Sequence, residues 1–315
     1  MASFDFHIYP LETGFHGPTR PVAKPELVAS YGYESFKPFK NSAAHSDDDI
    51  AAISKEIRRD IIRALVEAKS GHSGGPLGSS DIFATLYFGG VMNHDPLDPW
   101  NENRDRFILS AGHMCPVLYA TLANAGYFPK QELLTLRKLN SRLQGHPGRD
   151  MGLPGIESST GSLGQGLGIA VGMAMADKLV SKNNRRVYSL TGDGELQEGE
   201  IWEAAMAASH WKLNNLTVIV DRNHCQIDGR TDEIMEVDPV ADKWTSFGFH
   251  TIHVNGHNIG ELRKAFAEAK TVDKPTCIVA ETYMGHPVSF MNDDFRWHGK
   301  PPNAEQAELA LKELL

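Results

Sequence analysis

Two apolar runs, Val187–Leu190 and Leu216–Val220, each end at once in a short polar turn, and a helical stretch, Ile201–Trp211, lies between them. The first turn is Thr191-Gly192-Asp193-Gly194-Glu195 and the second is Asp221-Arg222-Asn223. Further runs at Phe107–Leu109, His250–Val254 and Thr276–Ala280, with a helical stretch at Leu163–Leu179, repeat the alternation. Strands alternating with helices predict an α/β fold, a mostly parallel sheet with helices on both faces. Ligands of such sheets bind at the carboxyl ends of the strands. Glycines at 192 and 194 let the backbone turn sharply and approach a ligand. Alone, Gly-Asp-Gly is most often a capped turn. Paired with a second strand end about 26 residues on, it predicts Asp193 and Asn223 at one edge of adjacent parallel strands.

A carboxylate, an amide oxygen and a nearby main-chain carbonyl form half of an octahedral oxygen shell for a hard divalent cation, with phosphate oxygens and water as the other half. Charge makes that arrangement informative. The 315 residues hold 31 Lys+Arg against 40 Asp+Glu, a net charge of −9, with no basic run. That excludes a non-specific nucleic-acid or membrane-surface binder, so an anionic ligand must be met by local groups, and a bound cation supplies one. The length and 41% hydrophobic content allow one large α/β domain or two small ones. Cys115, Cys225 and Cys277 are far apart, without metal or redox spacing. They read as reduced thiols, and no spanning run or signal peptide is indicated, so the expectation is a soluble, cytoplasmic protein.

Residues 1–45 hold five of the prolines and eight of the Phe and Tyr residues, a mixture that reads as extended and turning rather than helical. Disordered tails are poor in aromatics. This segment is read as an arm laid over the domain or a partner, with Phe4, Phe6, Tyr9 and Phe36 as anchors. The α/β domain then occupies residues 46–315. Its first helix starts at the cap Ser46 with acidic Asp47, Asp48 and Asp49, carries Ile50, Ile53, Ile57, Ile61 and Leu65 on one face, and ends near Gly71.

The Gly192–Asn223 segment resembles the thiamine diphosphate motif, and the segments around it resemble transketolase from about Ala51 to Asn303. The resemblance runs through Ser70-Gly71-His72, Asn103-Arg104-Asp105-Arg106-Phe107, Ser110-Ala111-Gly112-His113 and Gln144-Gly145-His146-Pro147. It continues through Thr160-Gly161-Ser162-Leu163-Gly164-Gln165-Gly166 and Trp297-His298-Gly299.

It implies a thiamine diphosphate-binding fold and a magnesium ion (or calcium or manganese) held by Asp193, Asn223 and the carbonyl of Cys225. Gly192 and Gly194 would flank the diphosphate end, and His113 and His298 would contact it. His72 and His146, with His113 and His298, would line the site for the sugar's carbonyl and hydroxyls. The main chain at Gly161, Ser162 and Leu163 would meet the aminopyrimidine, and Glu198 would join a carboxylate network between paired sites. Neutral imidazoles suit proton exchange with hydroxyls near pH 7. A lone histidine in a glycine-rich loop is more often a turn hydrogen-bonder. His7, His16, His45, His94 and His257 are accordingly read as surface residues. His224 is open between a loop residue and a support for Asn223, and the glycines of Gly164-Gln165-Gly166-Leu167-Gly168 between helix packing and cofactor contact.

In the family a further domain supplies the glutamate that activates the cofactor, and no segment here matches it. The resemblance is therefore to the N-terminal subunit of a split transketolase, a transferase of the pentose phosphate type. It implies a C-terminal partner subunit, an α2β2 assembly, and sugar phosphate substrates. Two stretches depart from the pattern: Gly148 stands where an acidic residue is common, and Met284-Gly285-His286-Pro287 replaces a lysine- and glycine-rich loop. The alternatives are a transketolase for a modified, for example sulfonated, sugar; a subunit of another thiamine diphosphate enzyme, deoxyxylulose phosphate synthase-like or 2-oxo acid decarboxylating; and a scaffold subunit whose chemistry has lapsed.

Overall fold

The protein is described from a computed structural model, which covers residues 20–315. The anchors Phe4, Phe6 and Tyr9, and His7 and His16, lie outside the described residues.

Five strands form the main sheet: β1 (Arg106–Leu109), β2 (Val187–Gly192), β3 (Leu216–Arg222), β6 (His250–Asn255) and β7 (Thr276–Glu281). A two-residue hairpin, β4 (Cys225–Gln226) and β5 (Gly229–Arg230), follows β3. The order across the main sheet is β1-β2-β3-β7-β6, and every neighbouring pair is parallel. Each apolar run of the sequence is one of these strands.

Side chains alternate between two separate cores. Phe107, Leu109, Tyr188, Leu190, Ile219, Ile278 and Ala280 face one, packed by the Asp47–Ala68, Ser80–Phe88, Cys115–Ala125 and Ile259–Ala269 helices. Ile108, Val187, Val218, Val220, Cys277 and Val279 face the other, packed by the Gln165–Met175 and Gly199–His210 helices and by Trp244. In β1, β2, β3 and β7 both faces are buried, which is why those runs are largely apolar rather than alternating, whereas the edge strand β6, His250-Thr251-Ile252-His253-Val254-Asn255, is part-exposed.

The Asp47–Ala68 helix opens with a reciprocal cap: Asp49 N–H donates to Ser46 Oγ (3.1 Å) and Ser46 N–H to Asp49 Oδ2 (2.8 Å). Its apolar face is buried at all five expected positions. The stretch expected over Leu163–Leu179 is an α-helix at Gln165–Met175 that widens into a π-helical turn at Ala176–Ser181.

The arm departs from its extended reading, since Pro25–Ser30 is a short helix with Pro25 in its first turn, where a missing N–H costs nothing. Within residues 20–45, Tyr33 is buried and its hydroxyl donates to Asp60 Oδ1 (2.6 Å). The Phe36 ring lies 3.8 Å from Lys130 Nζ. Among the described residues no helix is long and apolar enough to cross a membrane, and all three cysteines are buried free thiols.

Candidate active site

Parallel strands bring their carboxyl ends to one edge, and the chain leaves that edge in loops that carry the candidate residues. β1 runs into the turn holding His113, β2 into Gly192-Asp193-Gly194 and β3 into Asn223. The register pairs Gly192 with Asp221, and Asp193 N–H donates to Asp221 O (3.2 Å), so the two turns sit side by side. A cavity of about 310 Å³ opens there, lined by His72, His113, Gly161, Leu163, Gly192, Asp193, Gly194, Glu198, Asn223, Cys225 and His298 among others.

Four imidazoles converge on it. The His72 ring centroid lies 5.0 Å from His113, 5.5 Å from His298 and 6.4 Å from His146, and His113 stacks on His298 at 4.8 Å. His146 stands beside the cavity: a Cβ built on Gly161 would lie 3.0 Å from its ring. Burial, reinforced by His298, Arg137 and His146, pushes His72 down to about 4. Burial also pushes His113, His146 and His298 below their ordinary value. The cluster is held neutral because each added charge would lack water and face its neighbours.

The same cavity is also lined by oxygen donors. Asp193 is 1% exposed. Its Oδ2 accepts from Arg222 Nη1 (2.7 Å) and His224 N–H (2.7 Å), and its Oδ1 from Gly194 N–H (2.8 Å). Asn223 donates through Nδ2 to Asp221 Oδ2 (2.8 Å), which fixes the amide so that Oδ1 is its acceptor face. A Cβ on Gly194 would lie 3.8 Å from the Cys225 carbonyl oxygen, which places that carbonyl against the same turn. Burial raises Asp193 even against Arg222, the mark of a carboxylate short of positive charge. Carboxylate, amide and carbonyl oxygens in one wall fit a hard divalent cation.

Glu198 stands exposed at the rim, and Ser162 is exposed beside the lining residues Gly161 and Leu163. His224 supports the site through its backbone, while its ring bonds Glu281 Oε2 (2.8 Å), which raises its pKa. The glycine run divides. A Cβ on Gly166 would meet Ser110 Cα at 2.5 Å, a packing constraint, whereas Gly164 N–H is held by Glu195 Oε1 (2.8 Å) at φ +86°.

Sequence reasoning missed Glu195. Its buried carboxylate also accepts from Ser110 Oγ (2.5 Å) and Gly192 N–H (3.1 Å), tying the ends of β1 and β2 to the Gly164 turn, and burial pushes it up to about 7. It also missed Asp221, pushed by burial to about 7, and Arg222. Two surface readings are corrected. His94 is half-buried between Tyr87 O (2.7 Å) and Tyr127 Oη (3.1 Å).

His257 donates to Asp81 Oδ2 (3.0 Å), accepts Tyr283 N–H (3.0 Å) and stacks on His286 at 3.8 Å. Asp81, His257 and His286 have ligand spacing. Arg58, however, already bonds both Asp81 oxygens (2.6 and 3.0 Å), so the trio clamps the 283–298 loop rather than offering free donors.

A doubly covered parallel sheet whose edge presents these donors and imidazoles over one cavity is the architecture of a thiamine diphosphate-binding enzyme domain. Residues 50–314 match the family described as transketolase, thiamine diphosphate binding domain. The chain belongs to the transketolase family. It is 40% identical over 262 residues to an apulose-4-phosphate transketolase subunit from Phocaeicola vulgatus, covering 83% of this chain and 92% of the relative. It is also 40% identical over 259 residues to a 6-deoxy-6-sulfo-D-fructose transketolase subunit from a Clostridium species, covering 82% and 93%. Transketolase from Leishmania mexicana superposes with a TM-score of 0.79 at 35% identity, over 86% of this chain but 41% of that one. The chain thus has the extent of the subunits of split transketolases.

Proposed function

We propose that this chain is the N-terminal subunit of a split transketolase that moves a two-carbon ketol unit from a ketose phosphate to an aldose phosphate. Activity requires a C-terminal subunit that supplies the activating glutamate, in an α2β2 assembly placed in the cytoplasm. The observation that carries this reading is one cavity lined both by His72, His113 and His298, with His146 beside them, and by Asp193, Asn223 and Cys225.

Asp193, Asn223 and the Cys225 carbonyl would hold magnesium (or calcium or manganese) against the diphosphate, with Gly192 and Gly194 allowing close approach. Gly161, Ser162 and Leu163 would receive the aminopyrimidine, and Glu198 would meet the carboxylate network of a second copy. Thiamine diphosphate supplies the carbanion-stabilising chemistry when bound. His113 and His298 would meet the diphosphate side, and with His72 and His146 they would exchange protons with the sugar's carbonyl and hydroxyl oxygens. An imidazole held neutral can do both without a bulk proton source. Among the described residues no Lys or Arg lines the cavity, which supports assigning the sugar's anionic end to the partner.

The test is ketol transfer to ribose 5-phosphate with thiamine diphosphate and magnesium, by this chain alone and mixed with its C-terminal subunit. The donors are xylulose 5-phosphate, fructose 6-phosphate, apulose 4-phosphate and 6-deoxy-6-sulfofructose. Transfer from a sugar phosphate only in the mixture is expected. A preference for the sulfonated donor would replace the substrate, and decarboxylation of a 2-oxo acid instead would replace the reaction.

A further inference from the structure

We propose that Arg137 is a positioning residue whose guanidinium bridges the loop carrying His72 to the loop carrying His146 and so fixes the distance between the two imidazoles; this rests on the reading above. Nη1 donates to Ser70 Oγ (2.9 Å), two residues before His72, and Nη2 reaches Gly145 O (3.4 Å), one residue before His146. The His146 loop is shaped to receive the guanidinium, since a Cβ on Gly145 would stand 2.6 Å from Arg137 Cζ, and Gly71 of the His72 loop packs beside it, a Cβ there lying 3.6 Å from Nε. The arginine itself sits at φ +58°, a conformation that costs a non-glycine residue energy and persists only where contacts enforce it. Its N–H closes the intervening turn onto Leu143 O (2.9 Å).

Among the described residues no carboxylate pairs with Arg137, so its full charge stands behind the cluster. Arg137, His298, His146 and His113 face His72, and Arg137 and His72 face His146. Burial is the main reason both imidazoles stay neutral, and a half-buried, uncompensated cation beside them adds to it, so the group that bridges the two loops also reinforces the neutral state. Lysine retains the charge but not the two-pronged geometry.

The experiment uses the assembled two-subunit enzyme with Arg137→Met and Arg137→Lys. Kinetics are read alongside diethyl pyrocarbonate modification of His72 and His146, followed by peptide mass spectrometry from pH 5 to 8, which needs no turnover. Arg137→Met is expected to lower kcat/KM by about 10–100-fold, the scale of a misplaced catalytic group, with unchanged affinity for thiamine diphosphate. The modification profiles of both histidines move to higher pH. Arg137→Lys is expected to restore the modification profiles but only part of the rate. Parent-like kinetics and profiles in Arg137→Met overturn the proposal, as does a loss confined to cofactor affinity or melting temperature. Should Arg137→Met fail to fold, Arg137→Lys decides: a parent-like rate overturns the proposal, and a reduced rate with parental profiles supports it. If the parent assembly transfers no ketol unit, the functional reading falls while the modification profiles still test this one.

Discussion

Replacing His72 by glutamine exchanges a titrating ring for a neutral side chain of similar reach, and the consequence is a change in acid sensitivity whose sign is fixed. Burial and the neighbouring rings hold His72 at about 4, while in the unfolded chain it takes the ordinary histidine value near 6.5. The unfolded state therefore binds the proton first. Stability is complete above pH 6.5, falls as pH drops toward 4 and levels below that. At about 1.4 kcal/mol per unit, the full difference has an upper bound of about 3.5 kcal/mol. The ring lies at the wall of an open cavity, so solvent screening reduces the expected share to about 1–2 kcal/mol. Urea midpoints of parent and variant at pH 7, 6 and 5 measure it. The gap between the two curves is expected to move by that amount in the variant's favour on acidification. Parallel curves would refute the claim that His72 is held neutral by its surroundings.

Three further outcomes follow from the same geometry. Asp193→Ala removes the charged oxygen donor and is expected to abolish magnesium-dependent retention of thiamine diphosphate, read by calorimetry with and without the cation; retained affinity would remove Asp193 from the metal site. Glu195→Gln turns an acceptor of three hydrogen bonds into a mixed donor and acceptor, and is expected to weaken cofactor affinity by about 1–3 kcal/mol while circular dichroism stays parental. Gly166→Ala places a methyl 2.5 Å from Ser110 Cα and is expected to lower unfolding free energy by about 1–3 kcal/mol in a urea titration.

What the sequence made legible has a common cause. The inner strands and β1 are readable because both faces of the sheet are covered there, so Val218, Ile219 and Val220 are all apolar although they point to opposite cores. The first helix is readable because its start signal, Ser46 to Asp49, is local. His72, His113, His146 and His298 are recognisable only through the family motifs that hold them, because a glycine-rich loop alone would leave each a turn hydrogen-bonder. Glu195, Arg222, Arg137 and His257 are not, because their meaning lies in partners remote in the chain. Glu195 binds Ser110, Arg222 binds Asp193 and His257 binds Asp81, across 85, 29 and 176 positions. Pro25–Ser30 shows the converse, since a proline that reads as a helix breaker is also a permitted helix opener, and composition alone does not separate the two.

The imidazoles and the oxygen donors of the cavity divide the electrostatic work in a chain whose net charge is −9. Asp193, Glu195 and Glu198 line it and no Lys or Arg does among the described residues, so a diphosphate would meet only negative and neutral groups. Arg222 offsets part of the Asp193 charge, yet it is shared with Asp238 and lies behind the carboxylate rather than in the cavity. Under the proposed reading, a divalent cation held by Asp193 would offset that field and so favour holding the diphosphate. In place of the imidazoles a fixed cation would serve less well. Permanently charged groups would bind the sugar's oxygens without exchanging protons, whereas imidazoles kept neutral by burial and by Arg137 can donate and accept in turn. Under the same proposal, the counter-charge for the substrate's anionic end would come from the partner subunit, since no Lys or Arg lines the cavity among the described residues.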